Sequence, residues 1–322
     1  MADATLYRGD GAIRQTVAAS VAAGEVRQMP SGLAGVKRGL LAATTGDSVP
    51  FEERGQFVMA KSAGFVALDG GLAYWDHSAN AVYYKRNNDR DFVLGTFVGD
   101  AASADTTCTV NLNVFQKYVS NLAADGFQSV LVGTAASGGF GYPVPLGGAT
   151  VYELTATSEA QKVDALGVEG FALGSNWIVE GAFRVLSDGS GTVVDVSMGV
   201  ANATHASDAD SITESCFIHL DANSTNIYAE SDDGTTEVAA TDTTIDYTEG
   251  TAKANQVEFW MDGRNPADVQ IYVNGSLVLG STVFNLNVAT GPLFPLVHVE
   301  KSSSTDTYKL AVDWLRVRTA EQ

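Results

Sequence analysis

Apolar and polar side chains alternate with a period of two through much of the chain, which is the pattern of strands buried on one face only. It is sharpest at 256–261, where Val257, Phe259 and Met261 share a face, and at 269–273, where Val269, Ile271 and Val273 do the same. Asp262-Gly263 and Asn274-Gly275 follow these runs, and Asn-Gly is the strongest two-residue hairpin signal. Further strands are predicted at 177–186, 192–200, 215–220 and 226–230. A last one at 308–317 sets Leu310, Val312 and Trp314 against Lys309, Ala311 and Asp313. From residue 151 onward this predicts two antiparallel sheets packed as a sandwich.

The first 113 residues carry shorter runs between glycine-centred turns such as Gly24-Glu25, Gly46-Asp47, Gly70-Gly71 and Gly99-Asp100, a spacing that suits a small barrel. Thr106 to Leu112 alternates cleanly enough to be its closing strand. Residues 12–23 admit helix or strand, because alanines favour the first while Ile13, Gln15 and Val17 alternate; strand and extended arm is the preferred reading. Residues 114–150, with a helical turn expected at 114–122 and a glycine-rich run at 133–148, are read as a connector. The run lacks the Lys-Ser/Thr of a phosphate loop.

Composition agrees with an all-β chain of two domains: 322 residues, 45% hydrophobic, 18% charged, 33 glycines. The net charge of −19 is unevenly placed. Residues 1–113 hold 10 Lys+Arg against 12 Asp+Glu, or −2, and the remainder 9 against 26, or −17. An acidic back half repels nucleic acid and anionic membranes, so neither is expected as a partner. No signal segment and no apolar run of membrane-spanning length is visible. The two cysteines, Cys108 and Cys216, lie in different halves and are read as buried thiols, not a disulfide.

Candidate chemistry is sparse. Glycoside hydrolysis needs two carboxylates flanking the scissile bond, and Glu230-Ser231-Asp232 and Glu258 with Asp262 both run into turns. His77, His205, His219 and His298 show no metal-ligand spacing. Ser207, Asp208, Asp210 and Glu214, Asp232-Asp233, and Asp262 with Asp268 are oxygen-rich but match no calcium loop. The expectation is therefore no enzyme, no cofactor and no metal. Aromatics offer more: Trp177, Tyr228, Trp260, Tyr272 and Trp314 lie on predicted strands. Trp260 and Tyr272 alternate out of phase with their apolar neighbours, so the two rings can share an outer face for stacking on a sugar.

Several segments, in order, carry a resemblance: Ala22-Ala23-Gly24-Glu25-Val26, Gly32-Leu33-Ala34-Gly35-Val36, Thr45-Gly46-Asp47, Gly55-Gln56-Phe57-Val58, Gly71 to Tyr74-Trp75-Asp76, and Leu94-Gly95-Thr96 before Thr106 to Leu112. Over this third of the chain the sequence resembles the capsid decoration, or cement, proteins of tailed bacteriophages. The back half, through Gln256 to Asp262, Val269 to Ser276 and Lys309 to Val317, is similar to the concanavalin-like, laminin-G-like jelly roll, whose last strand returns beside its first.

The resemblance implies a non-enzymatic virion protein on the outer capsid surface, assembled in the host cytoplasm and docked on the major capsid protein, often as a homotrimer. The expected domains are 1–113 for docking, 114–150 as connector and 151–322 as a lectin-like sandwich. Tyr74, Trp75 and Tyr83 either fill the small barrel or face the capsid; Tyr7, Ile13 and Val17 are expected on an arm that orders on assembly. A glycan-binding adhesion module, with Trp260 and Tyr272 as its site and surface glycans as its partner, is the alternative; a glycosidase ranks below both.

Overall fold

The computed structural model describes residues 12–39, 41–122, 127–132, 149–189, 194–206, 208–222 and 224–319. The chain divides into two compact units, Met1–Gln116 and Lys117–Gln322.

In the first unit β1 (Ala12–Thr16), β2 (Val26–Gln28), β3 (Ala34–Lys37) and β4 (Ser48–Glu52) form an antiparallel sheet of order β1-β4-β3-β2. Val17, Val21, Met29, Ala43, Val49 and Phe51 are its core, with Ile13 packed against it. The expected strand is present at Ala12–Thr16, but it pairs with β4, and Val17 and Val21 lie in the core with Phe51, so this part of the chain is sheet and core rather than an arm.

A second sheet of order β5-β9-β8-β6-β7 joins β5 (Gln56–Ala60), β6 (Leu72–Asp76), β7 (Ala81–Tyr83), β8 (Phe92–Phe97) and β9 (Thr107–Leu112). A parallel bridge between Lys61 and Val82 carries the end of β5 to β7, so the five strands nearly close into the expected small barrel. Phe65, 1% exposed, meets Tyr83 and Tyr84 with ring centroids 5.3 Å away. Gly95 has φ +150°, and a Cβ there would stand 2.1 Å from the Asn111 carbonyl oxygen, so only glycine lets β8 and β9 approach this closely.

In the second unit one sheet runs β10-β23-β14-β19-β20-β21, with β12 also on β23. Its strands are β10 (Ser120–Asn121), β12 (Thr150–Leu154), β14 (Trp177–Ser187), β19 (Val257–Gly263), β20 (Gln270–Val273), β21 (Ser276–Val278) and β23 (Tyr308–Thr319). The other runs β11-β13-β22-β15-β16-β17-β18, from β11 (Phe127–Val132), β13 (Glu159–Gly167), β15 (Val194–Ala201), β16 (Ser215–Asp221), β17 (Asn226–Asp232), β18 (Glu237–Asp246) and β22 (Phe294–Ser304). Trp177, Phe183 and Phe259 from the first and Val196, Ile218 and Val297 from the second share one buried cluster. This is the expected sandwich of two antiparallel sheets, and β23 does return beside β12.

Three local expectations are corrected. The segment read as a connector supplies β10 and β11, which pair with β23 and β13; tertiary pairing, not local pattern, makes them strands, and residues 120–121 replace the expected helical turn. The glycine-rich run lies outside the described residues apart from its flanks. Gly263 ends β19 instead of turning, because it pairs with Trp177 on β14; the indole stands 2.0 Å from where its Cβ would be, so the position requires glycine. Finally, Trp314 does not face inward with Leu310 and Val312. Ala182 pairs with Trp314 but Phe183 with Val312, so Asp313 is a bulge residue. The bulge shifts the phase, placing Leu315 and Val317 in the core and Trp314 outside it; Arg184 holds the Asp313 carboxylate at 3.0 and 3.2 Å.

Candidate functional site

Within the first unit the two sheets frame a groove of about 360 Å³ lined by Val26 and Val36 on one side and by Phe57, Val58, Met59 and Trp75 on the other. Alternation along β5 buries Met59 and turns Val58 out to 74% exposure. Val58 thus places an exposed apolar side chain at the mouth of an apolar groove. The groove is rigidly framed. Asn113, at φ +55°, accepts from the Ala34 amide at 2.9 Å and donates to the Ala34 and Glu53 carbonyls at 2.8 Å each, tying the end of β9 to β3 and β4. The 76–91 loop is held by two buried carboxylates: Asp76 accepts from the Ser78 and Ala79 amides, and Asp91 from those of His77, Asn87 and Asn88.

Of the residues expected to face a capsid, Trp75 is at this groove, 8% exposed, and Tyr74 is half-buried on the same strand. Val17 is 3% exposed and belongs to the core, which corrects its assignment; Ile13 packs on that core. Tyr7 lies outside the described residues. Phe57 and Val58, already prominent in the sequence as part of Gly55-Gln56-Phe57-Val58, are the groove residues that alternation alone did not single out.

In the second unit Trp260 and Tyr272 stand directly opposite each other on β19 and β20. Cross-strand pairing continues the line from Asn121 through Arg316, Glu180, Trp260 and Tyr272 to Leu277, all on the outer face of one sheet. Arg316 sits 4.4 Å from the Tyr118 ring centroid and 5.0 Å from that of Trp314. Burial alone would raise the Glu180 carboxyl, but the Arg316 and Arg318 guanidiniums and the Tyr118 hydroxyl outweigh it and hold it below the ordinary value. The face combines the half-buried rings of Trp260 and Trp314 and the buried ring of Tyr272 with the charge network around Glu180.

Several of the acidic side chains weighed for calcium serve their own loops. Asp208 accepts from the Asp210 amide; Glu214 accepts from the Thr290 and Gly291 amides and from Asn202; Asp233 accepts from the Thr235 and Thr236 amides; Asp262 pairs with Arg264 at 2.6 Å. Ser207 lies outside the described residues. On the outer face of the other sheet, however, cross-strand pairing gathers Asp164, His298, Ser197 and His219 into one line, with Asp195 and Asp221 in the next. Nothing in the linear spacing of the histidines signals this.

The two units define an all-β protein: a first unit with an apolar groove, and a second unit that is an antiparallel β-sandwich. Residues 7–112 match the family model of phage cement proteins, so the resemblance of the first unit to that family holds. No curated protein matches the chain. Solved structures similar to it include the carbohydrate recognition domain of Emp47p, at 11% identity over 61% of this chain and 89% of that one, TM-score 0.41. An endo-acting O-glycanase of the human gut microbiota is similar at 12% identity, 64% and 100% coverage and TM-score 0.42. The pseudo beta-1,3-glucanase of Mycobacterium tuberculosis is similar at 14% identity, 54% and 75% coverage and TM-score 0.38.

Proposed function

We propose that this chain is a non-enzymatic decoration protein of a tailed-phage head. The first unit docks on the major capsid protein and the acidic second unit projects outward from the virion. The observation that carries the reading is the cement-family match over residues 7–112, the stretch that builds the apolar groove. The near-neutral charge of residues 1–113 supports it, because docking there meets little electrostatic opposition. Stabilisation comes from bridging: many copies, each making weak contacts, add across the lattice against internal pressure. A closed homotrimer suits three-fold lattice positions. Assembly takes place in the host cytoplasm, where heads are built.

A second, compatible reading is that the sandwich captures surface glycans, with Trp260 and Tyr272 as the contact; their direct apposition on an outer face favours it. Co-sedimentation of the full chain with undecorated heads tests the first reading. Saturable binding, weakened at least tenfold by Val58→Asp, is expected; binding indifferent to Val58 places the contact elsewhere on the chain, and no binding overturns the reading.

A further inference from the structure

On the outer face of the sheet β11-β13-β22-β15-β16-β17-β18, alternate residues of three adjacent strands converge: Asp195 and Ser197 from β15, His219 and Asp221 from β16, Glu230 from β17. A short 3-10 turn at Ala209–Ser211 lies over the same face, since Ala209 and Ile212 pack with Ala201, Phe217 and Leu296. It brings Asp210 down onto the group. Donor atoms of Asp195, Asp210 and His219 all lie within 4.8 Å of one another.

The distances around one ring nitrogen decide what this group does. His219 Nδ1 has Ser197 Oγ at 3.3 Å, Glu230 Oε1 at 3.6 Å and Asp195 Oδ1 at 3.7 Å. A charge-assisted hydrogen bond closes to about 2.7–2.9 Å, and these do not. Ligand atoms at about 2.0–2.1 Å from a tetrahedral ion stand roughly 3.3–3.4 Å apart, a few tenths of an ångström inside the 3.6 and 3.7 Å from Nδ1 to Glu230 and Asp195. The other nitrogen, Nε2, is held by Asp221 Oδ1 at 3.1 Å. A carboxylate on the far nitrogen is how a metal-bound imidazole is oriented and made more basic.

Independent of the spacing, the group is short of partners. Asp195 Oδ1 is buried and has no hydrogen-bond donor. Glu230, its side chain 9% exposed, has Ser197 Oγ at 3.5 Å and His219 Nδ1 at 3.6 Å about its Oε1, both long for hydrogen bonds. His298, wholly buried one strand away, directs an Nε2 without a hydrogen-bond partner toward Glu300, the cross-strand partner of Asp195. Asp195, Asp210, Asp221 and Glu230 set four carboxylates against the one imidazole, while Lys162 at 3.0 Å and His298 at 2.6 Å are engaged by Asp164. Of these only Glu230 is buried and Asp195 largely so, with side chains 9% and 25% exposed, while Asp210 and Asp221 reach solvent; a cation among them would offset the crowding of like charge.

We infer that His219, Asp195 and Asp210, with Glu230 as fourth donor, bind one divalent first-row transition-metal ion, Zn²⁺ or Mn²⁺, with Asp221 as the positioning residue of His219. A mixed imidazole and carboxylate set suits these ions; Ca²⁺ and Mg²⁺ prefer all-oxygen sites. The ion would fix the 3-10 turn to the sheet face.

Isothermal titration of the chelator-treated full chain with Zn²⁺, Mn²⁺, Ca²⁺ and Mg²⁺ tests this. One Zn²⁺ or Mn²⁺ per chain is expected, abolished in His219→Gln and Asp195→Asn. Asp221→Asn should weaken it by about 10–100-fold. Asp210→Asn, on the exposed turn, keeps the test valid if a strand variant fails to fold, and is expected to lose at least tenfold in affinity. No binding by either ion, a preference for Ca²⁺ or Mg²⁺, or binding that survives Asp210→Asn and His219→Gln overturns the assignment.

Discussion

Trp260 and Tyr272 are cross-strand partners whose ring centroids lie 6.5 Å apart with planes at 69°, an edge-to-face pair on the outer face of the sandwich. Tyr272 is 9% exposed and Trp260 half-buried, so the tryptophan is the ring that solvent reaches. Such a pair is worth about 0.5–1.5 kcal/mol beyond its buried area. A double-mutant cycle with Trp260→Ala and Tyr272→Ala should return a coupling in that range by chemical denaturation. On a glycan array, Trp260→Ala should abolish any binding seen with the native chain while Tyr272→Phe retains it; equal losses would remove Trp260 from the contact.

Asn113 joins the barrel to the first sheet through three side-chain hydrogen bonds of 2.8–2.9 Å. Asn113→Ala should destabilise the first unit by about 2–4 kcal/mol, from roughly 1 kcal/mol per bond and the loss of a residue that tolerates positive φ. Gly95→Ala should be worse, since its Cβ meets backbone rather than a movable side chain. Denaturant melts of both variants check the order.

Glu180 carries an acid-sensitive share of stability. Its folded pKa lies below the ordinary 4.5, because Arg316 at 3.0 Å and Arg318 at 2.8 Å overcome the penalty of burial. The contribution is therefore fully present above about pH 4.5 and is lost as pH falls through the depressed value. Melting temperature should decline over that acid window. Glu180→Gln should flatten that part of the profile while costing about 3–5 kcal/mol at neutral pH, because two guanidiniums lose their partner.

Both cysteines are free and buried. Burial pushes the Cys108 thiol up to about 11, with Lys61 only partly opposing it, and raises Cys216 further. Neither should react with a thiol reagent in the native chain, and both should after unfolding. Rapid native labelling of either would contradict this packing.

Much of this architecture is legible in the sequence wherever one strand face is wet and the other dry. The runs at 256–261 and 269–273 reappear as β19 and β20 within two residues at every end, and Asn274-Gly275, with φ +49° and +83°, turns the β20–β21 hairpin as the dipeptide requires. The apposition of Trp260 and Tyr272 follows from their shared phase on neighbouring strands. Local pattern fails where another strand decides. β18 is polar and threonine-rich and becomes a strand by pairing with β17; β22, buried on both faces, shows little alternation. The phase of Trp314 depends on a bulge stabilised by Arg184, 129 residues away. The gathering of Asp195, Asp210, His219 and Glu230 depends on register among β15, β16 and β17 and on a turn folded over them, and linear spacing contains neither.

The proposed role on a virion is tested most directly by electron cryo-microscopy of undecorated heads incubated with the full chain. Expected is ordered density for residues 1–116 against the shell at three-fold or pseudo-three-fold positions, with the apolar groove at the contact and the sandwich farther out. Heads that stay bare, or that carry the sandwich rather than the first unit against the shell, would contradict the decoration reading.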